Sequence, residues 1–179
     1  MAKRPPAAQT AFGPMVIAAG EQYVPEAQRL IHDELAIRFL PPQLRLTMRA
    51  CRWRFIRDLL LAFTEKQAPG IWGAMLCRKR YADDKVTEAL HAGIGQVVIL
   101  GAGLDTREYR LVAPAGAAAF EVDLPANVTY KQARLRQMHG RVPEHVTLIP
   151  LDFEAQDLGE ALAANGSTST DPRCSSGRP

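Results

Sequence analysis

Little in this chain of 179 residues points to a metal, a membrane or a nucleic acid. Its three cysteines, Cys51, Cys77 and Cys174, are odd in number and far apart. They give neither a disulfide framework nor a paired metal-ligand spacing, and they fit a reduced, cytoplasmic setting with no bound metal. No stretch approaches the roughly 20 apolar residues that a membrane helix needs. Met15 to Ala19 is too brief, and too far from Lys3 and Arg4, to be the core of a signal peptide. A net charge of +3 is too small to argue for a nucleic-acid partner. A Ser-His-Asp arrangement, a zinc signature and a phosphate-binding P-loop are all missing. The hydrophobic share of 47% beside 23% charged residues is that of a soluble globular chain, and the length suits one domain with a core.

What is present centres on Gln96-Val-Val-Ile-Leu-Gly-Ala-Gly-Leu-Asp-Thr-Arg107. Val97 to Leu100 reads as a parallel strand covered on both faces. Gly101 and Gly103 let the backbone turn tightly and let a ligand approach where no Cβ stands. Ala117 to Val122 reads as the next strand, and Asp123 closes it about 20 residues past the first glycine, the spacing at which an acid meets ribose hydroxyls. The third glycine of the dinucleotide fingerprint is replaced by Thr106, which argues against a nicotinamide cofactor and for a nucleoside without a diphosphate. Asp105 is read as the cap of the helix after the turn.

These residues resemble the S-adenosylmethionine-dependent methyltransferases of the leucine carboxyl methyltransferase type, including their actinobacterial branch. The resemblance runs from about Gln9 to Asn165. It rests on Val98 to Arg107, on Phe120-Glu-Val-Asp-Leu-Pro125 and on Arg78-Lys-Arg-Tyr-Ala-Asp-Asp84. It implies that Arg78 grips the carboxylate of the cofactor's methionine moiety, with Arg80 as the nearby alternative. A guanidinium fork suits that task. It further implies that Gly101, Ala102 and Gly103 pass under S-adenosyl-L-methionine, that Asp123 takes the ribose hydroxyls, and that Asp152, followed by Phe153, receives the adenine amino group. Lys79 departs from the threonine often found after that arginine. Without the resemblance, Arg78 to Arg80 also reads as a solvated basic start to a helix, Asp83 and Asp84 as first-turn acids, and Asp152 as a turn residue.

Around this centre, periodicity predicts a helix from Pro25 to about Phe39 and a second from Leu44 to Thr64 with Trp53, Ile56, Leu60 and Phe63 on one face. A third is expected over Tyr81 to His91 with Val86, Ala89 and Leu90 toward the sheet. A fourth, from Ala126 to Met138, is given Val128, Leu135 and Met138 as its apolar side, and His145 to Pro150 is a third strand. The division is an N-terminal arm (1–24), a helical segment (25–77) that the resemblance implies is a lid, the first half of a Rossmann-like domain (78–165) and a disordered tail (166–179). The arginines of the second helix suit a solvated face better than a membrane surface.

The fold class is therefore α/β, a Rossmann-like class I methyltransferase fold with strands 3-2-1 only, expected to be a truncated form of a longer enzyme. The expected activity is O-methylation of a small molecule or carboxylate, with an unidentified acceptor and no nameable general base. The alternative is a non-catalytic cofactor-binding fragment that associates with another chain, and the exposed sheet edge invites self-association. A nicotinamide-dependent oxidoreductase is disfavoured by Thr106.

Overall fold

Runs of apolar residues such as Val97 to Leu100 bury well only when a sheet carries helices on its faces. In the computed structural model, which describes residues 11–168, this run lies in strand β1 (Gln96–Leu100), followed by β2 (Ala118–Asp123) and β3 (Val146–Pro150). The three are parallel in the order β1-β2-β3, with Val98 opposite Phe120 and Phe120 opposite Thr147. This is the 3-2-1 half-sheet of a Rossmann-like fold. Among the described residues β1 pairs on one side alone, and Val98 and Leu100 are 40% and 54% exposed.

Among the described residues five α-helices precede the sheet: α1 (Phe12–Glu21), α2 (Ala36–Phe39), α3 (Pro42–Ala50), α4 (Arg54–Gln67) and α5 (Ile71–His91). A π-helical turn (Glu108–Val112) follows β1, α6 (Pro125–His139) joins β2 to β3, and α7 (Leu158–Ala164) follows β3. One cluster of buried side chains runs from Met15 to Leu135, so the helical segment and the sheet share a core. The boundary expected at 77/78 falls inside α5.

Several expectations are corrected. The segment assigned to an N-terminal arm holds α1, whose Met15, Ile17, Ala18 and Ala19 are buried. There Gly20 lies so close to Trp72 of α5 that a Cβ would stand 2.9 Å from Cζ2 of the indole. The helix predicted from Pro25 to Phe39 is instead a 3-10 turn (Glu26–Gln28) and the single turn of α2. Side chains divert its backbone: Glu21 accepts from the Leu30 amide at 2.7 Å, Gln22 from the Asp33 amide at 3.2 Å, and Asp33 from the Ala36 amide at 3.0 Å.

The second predicted helix is two, broken at Trp53, which is extended (φ −83°, ψ 118°) with Arg52 stacked 4.8 Å from its ring. Ile56 and Leu60 pack on the core, but Trp53 and Phe63 do not, and Phe63 joins Phe55 and Leu59 in an exposed stripe spaced by four. The third helix starts ten residues earlier than expected, after Gly70 at φ 75°. Its Val86 and Leu90 do face the sheet, packing near Val112 and Ala119.

On α6 the buried stripe is Asn127, Lys131 and Leu135 rather than one begun by Val128, because two polar side chains find partners beneath the helix. The start of the expected disordered tail is placed: Thr168 exchanges hydrogen bonds of 3.1 and 3.0 Å with the Gln96 side chain. Residues 169–179, with Cys174, and 1–10, with Gln9, lie outside the described residues. None of the described helices is long and apolar enough to cross a membrane.

Candidate functional site

The carboxyl edge of a parallel sheet is where α/β folds open a crevice. Here Gly101 (φ 60°) and Gly103 (φ 53°) leave β1 in the left-handed region that side chains resist. The amides of Gly101 and Ala102 donate to the Val122 carbonyl at 2.8 and 3.3 Å, folding the turn over the end of β2. A Cβ on Gly101 would meet nothing within 4 Å, and one on Gly103 would lie 3.4 Å from the Ala11 Cβ and 3.8 Å from Asp123 Oδ2. The turn is thus an open cradle at the first glycine and a close approach at the second.

Gly101, Ala102 and Gly103 line a cavity of about 260 Å³ with Arg78 and Lys79 of α5. Arg78 is exposed and has no ion pair among the described residues. Arg80, the alternative, is held by Asp84 at 2.9 Å and lines a different cavity, so one arginine of the pair stands free beside the glycine turn. Asp123, at 7% exposure, closes β2 with both oxygens engaged. Oδ1 accepts from the Leu124 amide at 2.6 Å and the Asn127 side chain at 2.9 Å, and Oδ2 accepts from the Gly103 amide. Asp152 and Phe153 lie just past β3, outside the cavity wall. Asp152 Oδ1 accepts from the Glu154 amide at 3.1 Å, the geometry of a turn residue, while Phe153 is 46% exposed.

Behind the cavity wall lies an ionic network that no local pattern in the sequence announces. Asp33 Oδ2 pairs with Lys79 at 3.1 Å and accepts from the Thr106 hydroxyl at 2.7 Å. Asp83 pairs with Arg107 at 2.7 Å and Arg110 at 2.9 Å, and Asp105 pairs with Arg107 and, at 3.9 Å, Lys79. Asp105 also caps the following turn, accepting from the Thr106 and Arg107 amides at 2.6 and 3.0 Å. Burial alone would raise its carboxyl, but Lys79, Arg107 and the Arg107 amide together hold it below the usual aspartate value. Asp83 is mid-helix, and its role is pairing rather than a first-turn charge. An aspartate ahead of an apolar helix start was the available signal for Asp33. Nothing local in the sequence ties Asp83 to arginines 24 and 27 residues away.

A second buried cluster lies under α6. Lys131 Nζ reaches Glu108 at 2.7 Å, Glu121 at 2.6 Å and the Asp105 carbonyl at 2.7 Å. Burial pushes the Glu108 carboxyl well above the ordinary range, Lys131 opposes this, and Glu121 adds to it. Burial would depress the Lys131 ammonium, but the two glutamates more than reverse this and raise it. Among the described residues no group of three or more His, Cys, Asp or Glu could hold a metal ion.

The family model for leucine carboxyl methyltransferase matches residues 11–176. A protein of Frankia alni is 46% identical over 89 residues, 50% of this chain and 31% of its own length. One of Mycobacterium sp. strain JLS is 39% identical over 98 residues (55% and 32%), and one of Mycobacterium bovis 47% over 92 (51% and 30%). Each bears the name "Putative S-adenosyl-L-methionine-dependent methyltransferase". The matched segments thus span about a third of these curated relatives. With the family model covering nearly all of the sequence, this chain belongs to the leucine carboxyl methyltransferase family.

Proposed function

We propose that this chain binds S-adenosyl-L-methionine at the carboxyl edge of its sheet and serves methyl transfer to an oxygen of a small molecule, such as a carboxylate. The observation that carries the reading is Arg78, with no ion pair among the described residues, beside an open glycine cradle. Its fork suits the methionine carboxylate. Gly101, Ala102 and Gly103 pass beneath the ligand, and Asp123 takes the ribose hydroxyls. The cavity of about 260 Å³ takes the amino-acid half, so that the adenine extends along the strand ends toward Asp152 and Phe153. When bound, the cofactor supplies a methyl group on a sulfonium. The chain's part is then alignment of the acceptor for in-line displacement, which requires no metal.

Calorimetric titration with S-adenosylhomocysteine tests this. Saturable binding is expected, lost in Asp123→Ala and weakened about tenfold or more in Arg78→Met by removal of a charged hydrogen bond. Absence of binding by the folded chain overturns the reading.

The open edge of β1, with Val98 and Leu100 exposed, favours a second reading in which the chain binds the cofactor without catalysis and pairs with another strand. Binding without transfer to any acceptor, together with dimers in sedimentation, supports it, and a catalytically active monomer excludes it.

A further inference from the structure

Asp33 is fully buried, yet it is remote in sequence from every glycine and arginine of the cavity. It stands where three elements meet. Gln22, at the end of α1, accepts from its amide, and its own Oδ1 accepts from the Ala36 amide. Its Oδ2 takes the Thr106 hydroxyl from the segment after the glycine turn and the Lys79 ammonium from α5, one residue beyond Arg78. Arg110 approaches Oδ1 at 3.6 Å and also donates to the Thr106 hydroxyl oxygen at 3.0 Å.

We propose that Asp33 is a positioning residue for the cofactor site, holding Lys79 out of the cavity and fixing the glycine turn through Thr106. This rests on the cofactor reading above. The network balances three carboxylates, Asp33, Asp83 and Asp105, against Lys79, Arg107 and Arg110. Neutralising Asp33 leaves the Lys79 ammonium with Asp105 as its one remaining carboxylate among the described residues, at 3.9 Å. The ammonium then moves toward Asp105, which caps the Thr106 and Arg107 amides, or into the cavity whose wall it shares with Arg78. Either movement disturbs the cradle. Thr106 has a purpose here that a glycine could not serve: its hydroxyl is the tether between the turn and the N-terminal segment.

The test is titration of the whole chain with S-adenosylhomocysteine, with circular dichroism as the folding check. Asp33→Asn is expected to weaken binding about tenfold, and adding Lys79→Met to recover most of that loss, a coupling that a general loss of packing would not show. Thr106→Val is expected to weaken binding about threefold, and Thr106→Ser, which keeps the hydroxyl, to restore it. If Asp33→Asn does not fold, the two Thr106 variants decide. Undiminished affinity in Thr106→Val, or no recovery in a folded double variant, overturns the positioning role and leaves the cofactor reading intact. Failure of the unaltered chain to bind overturns the cofactor reading, and this role with it.

Discussion

The two buried ionic clusters differ in their arithmetic. Beside the cavity, three acids meet three bases, and the Asp105 carboxyl sits below its ordinary value despite burial. Under α6, one lysine meets two glutamates, and the Glu108 carboxyl is pushed up. Burial acts on both in the same direction, so the balance of partners decides the outcome. The balanced cluster lies behind the wall of the cavity beside the glycine turn. The unbalanced one, where burial and the second glutamate push the Glu108 carboxyl up, joins α6 to β2 and to the helical turn after β1.

The largest effect is expected from Lys131→Met, which removes the one cation between two buried carboxylates and its bond to the Asp105 carbonyl. Loss of a partner from such a site costs about 3–5 kcal/mol, read from the urea unfolding midpoint. Asp83→Asn in the balanced cluster is expected to cost less, about 2–3 kcal/mol, because Arg107 retains Asp105 and Arg110 retains the Thr106 hydroxyl. An equal or larger loss there would dissolve the contrast.

The pH dependence sharpens it further. Asp105, lowered in the folded chain, contributes stability that is present above about pH 4 and lost as pH falls through its folded value. Glu108, raised in the folded chain, contributes stability that is present below about pH 4 and lost as pH rises toward its folded value. Glu108→Gln should therefore change the melting temperature little in acid and raise it near pH 8, while Asp105→Asn should lower it there. A scan of melting temperature against pH checks both signs.

The sheet was legible because its signals are local. Four apolar residues before a glycine turn, and an acid closing the next strand, suffice to place β1, β2 and the cradle. Of the candidate site residues, Arg78 and the glycines meet in one cavity, whereas Asp123, Asp152 and Phe153 do not line it. Between Leu30 and Phe39 tertiary hydrogen bonds override helical spacing: Leu30, Ile31, Leu35 and Phe39 recur as in a helix, but Glu21, Gln22 and Asp33 capture the amides that a helix would use. On α6, nothing near Lys131 in sequence announces Glu108 and Glu121 as its partners. Long-range pairing of this kind has no period to detect.

Within the sheet, β2 alone has a hydrogen-bonded neighbour on each side among the described residues. Its amides are therefore expected to exchange with deuterium only when the sheet itself opens, whereas those of the exposed face of α4 should need only a local fluctuation. Asp123 ends that strand, and the amides of Gly101 and Ala102 hang from the Val122 carbonyl beside it. The glycine turn, though built from the most pliable residues in the chain, is therefore tied to its slowest clock.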